Sequence, residues 1–378
     1  MMIKRIGFLA AAITFAGLGA GLGAGLGAGL NGAYAADKPT LNIYNWSDYI
    51  APDTLEKFTK ETGIEVNYDT YDSNETLDAK LAAGSSGYDL VVPTLSPWLA
   101  RQLKAGYYQP LDKSKLANYK NLDPKILARM SKIDADNAHA IPWGISTIGI
   151  IYNEDQIKKR MPDAPVDSLS MMFDVKILAK FKDCGISFLD SPTEVFPAAL
   201  KYLGLNPDTQ SAEDLKKAAD LMLTLRPFIR KFDSSGYLND LANGDSCLVW
   251  GYLNDGIMSR RRAIQAGNGV KIKYVIPKEG TQFFLDTMAM PVDAPHPDLA
   301  YKFLDFVMRP DISAALGNFL FLQTGNLESE KLLRPEIVSD PGIFPPAATW
   351  DKLYLISVAT PELERQRTRQ WTRIKTNR

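Results

Sequence analysis

The sequence predicts an α/β protein of two lobes, joined where the chain crosses between them twice. Three observations lead there. Strand-like and helix-like segments alternate through the first third of the chain after residue 36. The same alternation resumes between residues 212 and 308. Two extended runs, 141–152 and 287–291, are suited to carry the chain out of one lobe and back into it.

The elements follow in order. Residues 41–44 read as a buried strand, and Ala51-Pro52-Asp53-Thr54 opens a helix with Pro near its start and Gly63 at its end. Residues 64–68 alternate apolar and polar as a strand does, Asn74 caps a second helix, and Gly84 stops it. Residues 89–92 are a short apolar β-rich run, followed by a helix from about Ser96. Alternation of this kind implies a parallel sheet with helices on both faces. Beyond the first crossing, 247–250 and 271–276 read as strands, and 212–225 and 297–308 carry helical spacing.

Ahead of all this lies a leader. Lys4 and Arg5 precede a stretch without charge until Asp37, which ends in Ala33-Tyr34-Ala35, a small-x-small cleavage site. Residues 1–35 therefore read as a secretory signal peptide; the competing reading is an uncleaved membrane anchor, for which the Gly-Leu-Gly-Ala repeats of residues 17–30 are poorly apolar. Cleavage would move the formal net charge from −1 to −3. A mildly acidic chain with no basic stripe gives nucleic-acid binding no electrostatic support. No later segment offers about 18 consecutive apolar residues, so the mature protein is expected to be soluble. Its roughly 340 residues exceed a comfortable single core, in keeping with two lobes.

The two cysteines, Cys184 and Cys247, are an even count in an exported chain, which favours a disulfide over two buried thiols; it would close a loop of about 60 residues. Neither lies in the leader, so no lipid anchor is implied, and a free binding protein fits the Gram-negative periplasm.

The components of an active site are sparse. His139 sits in a polar loop and His296 between two prolines, neither in a metal-ligand spacing, and there is no Cys-x-x-Cys. A Gly-x-Ser-x-Gly elbow, a P-loop and a strand-following GxGxxG are all missing. Carboxylates are plentiful, and spacing alone leaves a glycosidase-type pair open. The expectation is a protein without catalysis, cofactor or metal.

The segment that stands out is Asn45-Trp46-Ser47-Asp48-Tyr49-Ile50, directly after the first strand. Ligands of open parallel sheets bind beyond the carboxyl ends of strands, which would put Trp46 and Tyr49 at a crevice; the alternative is that Trp46 only covers the core. This loop resembles that of the periplasmic putrescine/spermidine-binding proteins of ABC transporters, within the family 1 extracellular solute-binding proteins. So do Tyr71-Asp72-Ser73-Asn74-Glu75, Gly87-Tyr88-Asp89-Leu90-Val91-Val92-Pro93 and Asn239-Asp240-Leu241-Ala242-Asn243-Gly244-Asp245. Ile276-Pro277-Lys278-Glu279-Gly280 and Arg367-Thr368-Arg369-Gln370-Trp371-Thr372 extend the likeness over the mature chain.

The resemblance implies the two-lobed periplasmic binding protein fold, with lobe 1 built from 36–143 and 288–378 (the latter including C-terminal helices) and lobe 2 from 144–287. A polyamine would lie in the cleft between them, and an ABC transporter membrane permease would be the partner of a monomer. Position by position, Trp46 and Tyr49 would box the methylene chain, with Ser47 and Asp48 beside them. Thr94, where relatives often have Ser, would add a hydroxyl. Glu194, Asp255 and Asp286 would supply negative charge, and Ser234 and Phe284 would complete the wall. Each acid is otherwise an ordinary surface group. Two departures bear on the ligand: Tyr252 stands where relatives often carry Trp, and Leu322 where they often carry Tyr. Both would leave a roomier pocket that suits a longer amine such as spermidine. A relative retuned to another cationic or amino-bearing ligand remains open, as does a two-lobed periplasmic hydrolase, against which the missing motifs argue.

Overall fold

A computed structural model describes residues 38–376, so the leader and its cleavage site lie outside the described residues. Nine strands build the sheet framework: β1 (Thr40–Trp46), β2 (Glu65–Tyr71), β3 (Leu90–Val91), β4 (Ala140–Asn153), β5 (Ile186–Phe188), β6 (Lys231–Phe232), β7 (Leu248–Tyr252), β8 (Ile272–Val275) and β9 (Phe283–Ala289). Their order is β2-β1-β3-β9-β4-β7-β5-β6, with β8 also on β4.

The fold is the expected two-lobed α/β architecture, but its sheets are mixed rather than wholly parallel. Strands β1, β2 and β3 are parallel to one another, as are β6, β5 and β7. Strand β9 runs against β3 and β4, and β4 runs against β7 and β8. A strand that leaves a lobe and one that returns to it point in opposite directions, so two neighbouring crossings pair antiparallel. The first half of β4 (140–147) pairs β9, and its second half (148–153) pairs β7 and β8, so one strand of 14 residues serves both lobes. The second crossing, expected from residue 287, begins at Phe283.

One core gathers Leu41, Ile43, Phe58, Leu90, Met288 and Phe303 between β1, β3, β9 and the helices Thr54–Thr62 and Pro297–Val307. The other centres on Ile150, Phe173, Phe188, Phe196 and Trp250. Helix Thr54–Thr62 ends at Gly63, whose φ of 72° is the left-handed cap that a Cβ would strain. Helix Asn74–Ala82 is capped by Ser73, whose hydroxyl accepts the Thr76 N–H; Asn74, expected as the cap, is instead the first helical residue.

The C-terminal helix Pro361–Thr376 packs not on the return segment but on helices Pro192–Tyr202 and Ala212–Leu225. Trp371 makes edge contacts with Phe196 and Phe232 and donates to Asp190 at 2.9 Å. The chain therefore crosses a third time, along residues 351–360, where Tyr354 forms a bridge with Gln282 beside β9. The apolar run 353–359 lies within that crossing and was not read as an element from the sequence.

Cys184 and Cys247 form the expected disulfide across a separation of 63 residues. Replacing both by serine should cost about 3–4 kcal/mol on the chain-entropy account, read as a lower urea midpoint of unfolding; an unchanged midpoint would show that the bridge constrains nothing.

Candidate functional site

Two half-buried acids and the aromatic rings around them build the site, each placed by a different element. On β9, side chains two apart share a face, so Phe284 and Asp286 both turn into a cleft while Phe283 and Leu285 enter the core. Thr94, just past β3, forms a bridge opposite Asp286 and donates its hydroxyl to Oδ1 at 2.6 Å. The Tyr49 hydroxyl donates to Oδ2 at 2.8 Å. Thr94 is held in turn by Asn74, which donates to its Oγ1 at 3.1 Å and accepts its N–H at 3.2 Å.

The loop after β1 supplies the rings. Asp48 adopts a φ of 55°, which turns the chain back so that Tyr49 re-enters the cleft while Asp48 itself points to solvent. Fully buried Asn45 pins this turn by accepting the Trp46 N–H at 2.7 Å and donating to the Tyr49 carbonyl at 3.3 Å. The Trp46 indole donates to the Val92 carbonyl at 2.9 Å and lies 4.7 Å from the Tyr71 ring, so its face is set before any ligand arrives. Gly144 of β4 leaves the room that the Tyr49 hydroxyl occupies; a Cβ there would collide with it.

The other wall comes from the C-terminal ends of β5 and β7 and the helices that follow them. Asp255 lies in the first turn of helix Leu253–Ala266 and Glu194 in that of Pro192–Tyr202, where the helix dipole favours an anion. Asp255 accepts a hydrogen bond from the Tyr237 hydroxyl, and Glu194 accepts from Thr193 at 2.8 Å. Tyr252 stands edge-on to Phe284 at 5.9 Å, and Ser234 accepts the Asp190 N–H at 3.0 Å.

The resulting cleft, of about 1060 Å³, is lined by Trp46, Ser47, Tyr49, Thr94, Glu194, Ser234, Tyr252, Asp255, Phe284 and Asp286, ten of the twelve residues expected there. The other two lie elsewhere. Asp48 is exposed, and Leu322 is completely buried, packed near Gly144 and lining no part of the cleft. The expectation that a small Leu322 would widen the pocket is overturned, because its side chain fills core volume rather than cleft volume. Residues the sequence reading passed over also line the cleft, among them Trp98, Arg101, Asn254 and Gln282. They lie in turns and at element ends with no distinctive spacing. Neither histidine lines the cleft: each is tied to a buried aspartate, His139 to Asp134 and His296 to Asp89.

Charge is distributed unevenly. The two arginines of the lining are each matched by an acid of their own, Arg101 by Asp78 at 2.8 Å and Arg367 by Glu364 at 2.7 Å. Asp286 and Asp255 have only hydroxyl donors among the described residues. Burial raises the pKa of both, and the hydroxyls pull it part of the way back. Glu194 is pushed up to about 7, again chiefly by burial, with Thr193 and Arg367 opposing. Carboxylates set in an aromatic cleft without cations of their own form a receptor for a cation whose charges the protein has not supplied.

A two-lobed α/β fold whose central cleft is lined by residues far apart in the chain is the architecture of solute receptors. Residues 53–345 match the family model of the bacterial extracellular solute-binding proteins, and this chain belongs to that family. It is 48% identical to the putrescine-binding periplasmic protein SpuD of Pseudomonas aeruginosa over 378 residues, the full length of both chains. It is 49% identical to the putrescine-binding periplasmic protein PotF of Escherichia coli over 349 residues, 92% of this chain and 94% of the relative. Among solved structures, the spermidine/putrescine transporter substrate-binding protein PotD of Streptococcus pneumoniae superposes with a TM-score of 0.79 at 26% identity, covering 90% of this chain and 99% of that one.

Glu194 gives the fold a pH signature. Its pKa in the fold exceeds that of the unfolded chain, so folding takes up a proton between 4.5 and about 7. Stability from this group is therefore gained as the pH falls through that window and lost as it rises. Glu194→Gln should remove a slope of at most about 1.4 kcal/mol per pH unit and should be the more stable form near neutrality. Urea midpoints collected across the window would check it; a parental slope surviving in the variant would assign the effect to another group.

Proposed function

We propose that this chain is a periplasmic solute-binding protein that captures a polyamine and delivers it to the membrane permease of an ABC transporter, without acting on it chemically. The observation that carries the reading is the pair Asp255 and Asp286, half-buried in one aromatic cleft with hydroxyl partners alone. A diamine has two ammonium groups on an apolar spine, so it needs an anion for each charge and π-faces between. Further relatives, at 40% and 34% identity, are a putrescine/agmatine-binding and a putrescine/cadaverine-binding protein, which supports a short diamine or its guanidino counterpart. The periplasmic names of SpuD and PotF support export behind a cleaved leader. Among the described residues, no helix is long and apolar enough to cross a membrane.

In this reading the lobes are residues 36–143 with the return from 288, and residues 144–287 with the C-terminal helix added. Trp46 and Tyr49 flank the methylene chain, Asp286 takes one ammonium with Thr94 and Tyr49 fixing its oxygens, and Asp255 takes the other. Glu194 contributes in its ionised form, so affinity rises with pH up to about 7. The protein acts as a monomer.

Thermal melts in millimolar putrescine, cadaverine, agmatine and spermidine test the proposal. At least one should raise the melting temperature, since the ligand bridges two lobes and binds only the native state. A flat response to all four would refute it. Asp286→Asn and Asp255→Asn should each weaken the bound amine by about 2 kcal/mol or more while leaving the ligand-free protein no less stable, because each removes a half-buried acid that lacks a counter-ion. Parental affinity in either would return that acid to a structural role.

Leu322 has a different expectation. Leu322→Tyr should overpack the core and cost about 1–3 kcal/mol of stability, with the order of amine preference unchanged. A changed order at parental stability would restore Leu322 to the ligand wall.

A further inference from the structure

Asp255 depends on a residue that lines no part of the cleft. Tyr237 opens the helix Tyr237–Asn243 and is completely buried. Its ring lies beside Gly251 of β7, where a Cβ would come within 2.9 Å of the hydroxyl oxygen. A glycine at this position is what lets the phenol reach past the strand.

The hydroxyl is engaged on both sides. It donates to Asp255 Oδ2 and accepts the backbone N–H of Tyr252 at 3.2 Å. Among the described residues no other side chain hydrogen-bonds the Asp255 carboxylate. The charged and titratable groups that face it are Tyr237, Tyr252, the more distant Arg262 and, across Tyr252, Glu194. A carboxylate on the first turn of a helix can swing about its side-chain torsions, and one in a dry cleft can take up a proton. A single donor acting on Oδ2 opposes both and leaves Oδ1 for another partner. Because the donor is neutral, it orients the charge without neutralising it, as a lysine in the same place would. The bond to the Tyr252 N–H joins a second cleft group to the same anchor, since that peptide precedes the ring standing against Phe284.

We propose that Tyr237 is the positioning residue of this cleft: its one buried hydroxyl holds the Asp255 carboxylate toward the ligand's ammonium and holds the Tyr252 ring in the wall beside it. The inference rests on reading the cleft as an amine site, and it deepens that reading by naming the group that sets the geometry of one of its two acids.

Tyr237→Phe keeps the ring beside Gly251 and removes only the oxygen. Calorimetric titration of putrescine into the full-length exported protein should show a loss of about tenfold near neutral pH, the scale of one hydrogen bond to a charged group. The loss should grow as the pH falls, because Asp255 then protonates more readily. In an Asp255→Asn background the same substitution should cost less than about threefold, since its partner's charge is already gone. An additive loss with the parental pH profile would overturn the proposal and leave Tyr237 as a packing residue. If Tyr237→Phe does not fold, 3-fluorotyrosine placed at this position keeps size and hydroxyl but donates more strongly. It should shift the pH profile of binding to lower pH, and an unshifted profile overturns the proposal equally. Carbon-13 NMR of the Asp255 carboxyl in ligand-free protein separates this inference from the amine reading. Its titration midpoint should rise in Tyr237→Phe whether or not any amine binds, and an unmoved midpoint refutes the role of Tyr237.

Discussion

Holding two carboxylates inside a cleft without giving them cations is the constraint on which the rest of this structure depends. An unpaired buried charge is among the costliest features a fold can carry. Here the cost is moderated by neutral donors, Thr94 and Tyr49 on Asp286 and Tyr237 on Asp255, and by the helix N-terminus under Asp255. Full neutralisation would be cheaper for the empty protein, but it would remove the attraction for a cationic ligand. Arg101 and Arg367 line the same cleft without upsetting this balance, because Asp78 and Glu364 occupy them.

The crossing strands explain how the donors come to meet the acids. Asp286 lies on β9, which pairs both with β3 of the first lobe and with the first half of β4. It is therefore placed between the lobes by backbone ladders rather than by a loop. Thr94 reaches it because it follows β3 directly, and Tyr49 because the left-handed turn at Asp48 folds the loop inward over the space that Gly144 leaves open. Residues 237 positions apart in the chain, Tyr49 and Asp286, so become hydrogen-bond partners. The third crossing adds a further tie between the lobes: Ile356–Ala359 line the cleft on their way to the C-terminal helix. Any change in the angle between the lobes must be absorbed by β4, β9 and this segment together.

Most of the outline was legible in the chain itself. Strand and helix periodicity located β1, β2, β4, β7 and the helices Ala212–Leu225 and Pro297–Val307, because both periods are local properties of side-chain direction. The even cysteine count marked the disulfide. The local motif Asn45–Ile50 and its resemblance to known receptors led to ten of the residues that line the cleft.

What the sequence alone determined, then, was the set of elements and most of the acids and rings that line the cleft; what only the tertiary structure decided was which way each side chain faces and what stands behind it. Asp48 lies in the same loop as the lining residues Trp46 and Tyr49, yet a left-handed turn sends it to solvent, while core packing encloses Leu322. Tyr237 carries no motif, and its role exists only because Gly251 lets its hydroxyl pass β7 to reach Asp255. The antiparallel pairing of β4 with β9 and the docking of the C-terminal helix onto the second lobe are likewise contacts between distant segments. Periodicity reports the face a residue presents within its own element, whereas desolvation and hydrogen bonding depend on the neighbours that long-range packing brings, and those are set only when the whole chain has closed on itself.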